Sequence, residues 1–152
     1  MQLGVQCDSS DWLVGVLLVL VVPLTGCGAG DGKIDVYPVK GTVTQGGKPV
    51  EGADVIFLAS DPALKVVGVP TPKAITDANG EFSLSSYGNG DGAPAGEYAV
   101  AVSWMQVITP SDNPEQRVER DRLKGRYADP SKSGLTATIQ EEDNQPPPFE
   151  LN

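Results

Sequence analysis

The residues here that could do chemistry are few, and the missing ones narrow the field first. No histidine occurs among the 152 residues. A Ser-His-Asp relay and a histidine-ligated zinc are therefore excluded. The only thiols are Cys7 and Cys27. Two carboxylates would suffice for hydrolysis, but the acids of this chain fall in turns and linkers rather than at strand ends around a pocket. The sequence thus assigns no catalytic residue, no metal ligand and no cofactor site, and the expectation is a protein that is not an enzyme.

Three groupings remain. Arg117, Arg120, Arg122, Lys124 and Arg126 form the one basic cluster, a candidate surface for an anionic glycan or a partner's acidic patch. Asn113 as cap and Pro114 at the first position suggest that a helix opens there. Glu119 with Arg122, and Arg117 with Asp121, would pair along it, leaving a solvated helical turn. Asp77-Ala78-Asn79-Gly80 could begin a calcium loop, but the further acids such a loop spaces along about twelve residues are missing, and a hairpin turn is expected. Gly88-Asn89-Gly90-Asp91-Gly92 precedes a strand rather than a helix, so no helix N-terminus would face a phosphate; a mobile loop is expected.

The remaining chemistry-bearing residue is Cys27. Trp12 to Leu24 is an apolar run of about 20 Å as a helix, short of the ~30 Å hydrocarbon core. Small residues follow, and Leu24-Thr25-Gly26-Cys27 resembles a bacterial lipobox. Residues 1–26 read as an export signal that is cut off, with Cys27 lipidated as the first mature residue. The stretch Met1 to Asp11 carries no Lys or Arg, unlike an ordinary export signal. Cleavage would remove Cys7 and commit Cys27 to lipid, leaving no disulfide. The implied location is the extracytoplasmic cell envelope. Gly28 stands where an inner-membrane retention Asp would be, so the outer membrane is favoured over the inner.

These residues need a scaffold, and the composition describes it. Twenty acidic against eleven basic groups give a net charge of −9, which disfavours nucleic acid as a partner. Eighteen Gly and thirteen Pro suit a fold of many turns. Residues 27–37 read as a tether and 38–152 as one domain. Seven strands are expected: near 39–44, 53–58, 73–76, 81–85, 96–104, 135–140 and 149–151. Ala53 to Leu58 is apolar on both faces, as in a fully buried strand. Tyr98, Val100, Val102 and Trp104 alternate with Ala99, Ala101 and Ser103. The expected fold class is all-β, a seven-stranded antiparallel Greek-key β-sandwich. Its core would include Ile75, Trp104 and Leu135 beside Val43, Val55, Phe57, Phe82 and Phe149. Tyr37, Tyr87 and Tyr127 would be the free aromatics.

Val39-Lys40-Gly41-Thr42-Val43-Thr44, with Gly47-Lys48-Pro49-Val50-Glu51-Gly52-Ala53, resembles the opening of carboxypeptidase regulatory-like domains, whose fold is transthyretin-like (prealbumin-like). Thr76 to Phe82 resembles that family's hairpin, and Pro94-Ala95-Gly96-Glu97-Tyr98 the start of its next strand. With Arg126 to Pro130, Ser133 to Thr136 and the lipobox, the order is similar to small planctomycete lipoproteins. The resemblance implies a non-catalytic module held at the membrane through lipid on Cys27, with an envelope protein or glycan as partner. The related hydroxyisourate hydrolases depend on histidines that this chain lacks. Adhesin domains of similar fold join a first-strand Lys to a last-strand Asn; Lys40 and Asn152 stand at those places, with no acid evident between them.

Overall fold

Two adjacent glycines close the first hairpin. β1 (Lys40–Gln45) turns at Gly46 and Gly47, whose φ angles are +55° and +77°, and returns as β2 (Lys48–Pro49) with Gln45 opposite Lys48. Both turn positions require φ > 0, which glycine adopts without steric cost. The strands that follow are β3 (Asp54–Ala59), β4 (Lys73–Ile75), β5 (Glu81–Ser83), β6 (Gly96–Ser103), β7 (Met105–Ile108), β8 (Val118–Asp121), β9 (Leu135–Ile139) and β10 (Phe149–Leu151). The computed structural model describes residues 33–62, 64, 70–110, 115 and 117–152.

The protein is all-β. One sheet holds β10, β1 and β2, with β5 also on β1; the second runs β4-β3-β6-β9; β7 and β8 form a separate ribbon. All seven expected strands are present, and β2, β7 and β8 raise the number to ten among the described residues. Pairing is antiparallel except between β1 and β10, which run parallel with Val43 opposite Phe149. Ladder contacts begin before Pro38, since Tyr37 bridges Ala93.

The core lies between the two four-stranded sheets. Phe57 of β3 meets Phe82 of β5 at 6.3 Å and Phe149 of β10 at 6.1 Å, both across the sandwich, and Tyr98 of β6 at 5.8 Å. Tilted and edge-on ring pairs at these separations add to the apolar burial. Val39, Val43, Val55, Val100, Val102 and Leu151 are fully buried around them. The core residues all fall within Gly32–Asn152, a compact unit in its own right.

Three expectations about the core are corrected. Ile75 is 67% exposed: Ala74, opposite Val55, takes the inward position, so Ile75 shares the outer face with Asp54. A shift of one residue reverses every side chain of a strand. Ile56 and Leu58 are 38% and 39% exposed, so β3 buries one face rather than two. Trp104 follows the end of β6 and is only half-buried, packed against the core with Leu135.

The arms around Asp77 to Gly80 do not form one hairpin. β4 pairs with β3 and β5 with β1, so the turn carries the chain from one sheet to the other. The arms share one isolated bridge, between Lys73 and Ser85. Buried Thr76 fixes this crossing by accepting the Ala53 N–H on its hydroxyl at 2.8 Å.

Candidate functional site

A groove of about 850 Å³ opens on the outer side of the first sheet. Its floor is built by strand alternation. Lys40 lies opposite Ser83 and Thr42 opposite Glu81, on the face away from the buried Phe82 ring, which lies opposite Gly41. One wall carries Ile75 and Asp77, the other Gln145 and three consecutive prolines, 146 to 148.

The proline wall interrupts the sheet. Asn144 bridges Val39 in parallel, and Lys40 N–H donates to the Asn144 carbonyl at 3.0 Å. The ladder resumes only at Val43 and Phe149. Four residues of one chain segment thus span three of β1, a one-residue bulge. The next donor of a continuous parallel ladder would be residue 146, a proline without an N–H. Strand alternation turns the Lys40 C=O and Thr42 N–H to the same side as the Lys40 N–H. They therefore face the segment that cannot complete the ladder.

The basic cluster is divided rather than gathered. Val118 to Asp121 is strand β8, not helix: Val118 lies opposite Ile108 and Asp121 opposite Met105. The expected helix start at Asn113 and Pro114 lies outside the described residues. In an extended strand, residues three or four apart no longer share a turn, and neither Glu119–Arg122 nor Arg117–Asp121 is an ion pair here. Arg122 stacks on the Trp104 ring at 3.6 Å, and the indole N–H donates to the Glu51 carbonyl at 2.8 Å. Arg126 donates to the Asn152 carbonyl at 3.0 Å. Arg117, Arg120 and Lys124 are exposed.

Asp121, which the sequence reading placed in a side-chain pair, organises the base of the ribbon. Its Oδ1 accepts from Trp104 N–H at 3.0 Å and Leu123 N–H at 2.9 Å, and its Oδ2 from Gly125 N–H at 2.8 Å. Tyr127, expected to be free, is buried; its hydroxyl accepts the Asn152 N–H at 3.0 Å.

The other motifs resolve into loop construction. Asp77 Oδ1 accepts from Asn79 N–H and Glu81 N–H at 2.8 and 2.9 Å. Gly80 has φ +74°, and a Cβ there would sit 2.5 Å from the Val43 carbonyl oxygen, so glycine is required. The Gly88–Gly92 segment is tied down. Asp91 accepts from Ser86 and Tyr87 N–H through its two oxygens, and Ser85 Oγ accepts from Gly90 N–H. Lys40 and Asn152 stand at opposite ends of their strands. Leu151 is level with Gln45, which separates the pair by about 20 Å at ~3.3 Å per residue. Cys27 lies outside the described residues.

Among the described residues no three His, Cys, Asp or Glu side chains are grouped to hold a metal, and no helix is long and apolar enough to cross a membrane. Burial pushes the Tyr98 phenol from 10.0 up to about 12, with its hydroxyl donating to the Pro94 carbonyl at 2.9 Å. The Asp129 carboxyl is held below its ordinary value, first by the Ser131 hydroxyl and then by Lys132.

No protein-family model and no curated protein matches the chain. Among solved structures it is similar to a 9R-lipoxygenase from Cyanothece PCC8801, at 17% identity and a TM-score of 0.38 over 77% of this chain and 16% of that one. It is also similar to the major pilin subunit of Bacillus cereus, at 14% identity and a TM-score of 0.41 over 76% of this chain and 29% of that one. A candidate carbohydrate binding protein from Pseudomonas aeruginosa is similar at 10% identity and a TM-score of 0.41, over 78% of this chain and 90% of that one. The chain thus spans about a sixth of the lipoxygenase and under a third of the pilin subunit.

Proposed function

We propose that this chain is a non-catalytic, lipid-anchored module of the cell envelope, of the carboxypeptidase regulatory-like kind, which holds a protein partner in the groove along β1. The anchor is Cys27, behind an apolar run too short to span a membrane. The observation that carries the reading is the interruption of the β1–β10 ladder by prolines 146 to 148, beside a groove of about 850 Å³. An extended segment is the ligand shape that such a site suits. It can hydrogen-bond to strand backbone while its side chains rest against proline and Ile75. A glycan is less suited, because Phe82, the one ring among the lining residues, is buried and sugars stack on exposed rings.

The test is a photo-crosslinking residue at Ser83, on the groove floor, with a second at Glu119 on the ribbon as control, in intact cells. A protein adduct formed from position 83 and not from 119 supports the reading. Adducts common to both positions, or glycan recovered in place of protein, overturn it.

A further inference from the structure

The edges of the two sheets are not alike. β10 is three residues long and follows three prolines, and β2 is only Lys48–Pro49. β4 is joined to the other sheet by the Lys73–Ser85 bridge. Shortness, lysine, proline and cover are the means by which edge strands are kept from pairing with other chains. Among the described residues β9 has none of them. Leu135-Thr136-Ala137-Thr138-Ile139 is five residues without charge, proline or glycine, and it ends its sheet with β6 as its ladder partner.

The groups it leaves open can be specified. Ser60 N–H bonds the Glu97 carbonyl on the β3 side, so Tyr98 and Val100 of β6 direct their backbone toward β9. They face Ala137 and Leu135. Alternation then turns the N–H and C=O of both Thr136 and Thr138 to the open side, and both side chains are exposed.

We propose that β9 pairs antiparallel with β9 of a second copy of this chain, about a twofold axis at Ala137. In that register Thr136 of each copy faces Thr138 of the other, closing four backbone hydrogen bonds between groups that have no partner among the described residues. Facing threonines are a favourable cross-strand pair. Leu135 lies opposite Ile139, so the apolar inner faces continue across the axis. The flanking charges agree. Exposed Lys132, which pairs with Asp129 at 3.1 Å, precedes β9, and exposed Glu141, Glu142 and Asp143 follow it. Antiparallel pairing brings the neutralised Lys132 end of one strand, rather than a second acidic end, beside the acidic end of the other. A second copy supplies this complement by symmetry, whereas an unrelated strand would have to match it. Two five-residue edges form a small interface, so the dimer is weak and its population depends on concentration.

The compact unit, residues 32–152, contains no cysteine, which permits a direct test. Ala137→Cys stands at a non-hydrogen-bonded antiparallel pair, where Cα atoms approach to about 4.5 Å, within disulfide reach. On oxidation it is expected to form a covalent dimer much faster than Ser83→Cys on the other sheet. Sedimentation of the parent unit is expected to shift from monomer to dimer across a concentration series. Thr138→Pro removes one open donor at an edge that tolerates proline, and is expected to abolish that shift with the melting temperature retained. Thr136→Lys combined with Thr138→Lys sets like charges face to face and does the same without touching the backbone. A parent that stays monomeric throughout, a dimer that survives both variants, or equal crosslinking at positions 137 and 83 overturns the proposal. The sedimentation readouts, with the threonine variants, lie away from the β1 groove and do not depend on its occupant.

Discussion

Gly41→Ala is the substitution that most directly tests how the sandwich is packed. Gly41 lies in β1 opposite Phe82, and its φ is not positive, so alanine is conformationally acceptable. Space is the obstacle. A Cβ at position 41 would stand 2.4 Å from Phe82 Cζ and 2.7 Å from Cε1. The ring cannot swing aside freely, because it stacks on Phe149 at 6.1 Å and 12° and touches Phe57 at 6.3 Å. Overpacking a close-fitting core costs about 1–3 kcal/mol, and a clash this short belongs at the upper end. Replacing glycine returns about 0.4–1 kcal/mol through the unfolded chain. The expected net loss is therefore about 2 kcal/mol, read as a lower midpoint in urea at constant slope. The decisive measurement is a double-mutant cycle. Phe82→Ala alone is expected to cost about 3–5 kcal/mol. With the ring gone, Gly41→Ala is expected to become neutral or slightly stabilising, a coupling of about 2 kcal/mol or more. If the two effects add within about 0.5 kcal/mol, the ring does not lie over Gly41 and the argument fails.

Asp121→Ala frees three backbone N–H groups at the base of the β7–β8 ribbon. It is expected to cost about 2 kcal/mol in urea melts, and Asp121→Asn less, since one oxygen remains. Tyr98 gives the protein an alkaline limit. Its phenol titrates near 12 when folded against 10.0 when free, so the stability gained by keeping it neutral is whole below pH 10 and is lost as pH rises through 12. That difference amounts to about 2–3 kcal/mol, and Tyr98→Phe is expected to flatten the stability curve over that range. Asp77→Ala removes the acceptor for two turn N–H groups; a loss of about 1–2 kcal/mol that calcium neither causes nor repairs is expected. Cys27→Ser is expected to release the protein from membranes and abolish fatty-acid labelling; equal membrane retention would refute the lipid anchor.

What the sequence revealed and what it hid follow from the same physics. Alternation locates a strand only where one face is buried and the other wet. It therefore found β1, β6 and β9, where Val43, Val100 and Ile139 point inward. The β7–β8 ribbon buries neither face: Met105 and Val107 are exposed, and so are Glu119 and Arg120. Arg120 within it, and Arg117 and Arg122 at its two ends, could be read equally well onto a helix, and only the partner strand decided otherwise. Ile75 was misplaced because three residues of β4 give alternation too little length to fix its phase, and the opposite side chain, Val55, fixed it instead. Turn chemistry was the most legible part, as at Gly46-Gly47, because φ > 0 is a property of single residues. The groove needed more than local reading. Three prolines signal an interrupted ladder only once Val39 and Val43 are seen to pair around them with Asn144 and Phe149. The open edge of β9 is likewise invisible in its own five residues. It becomes a feature by contrast with β2 and β10, whose prolines and lysine blunt the edges that β9 leaves bare.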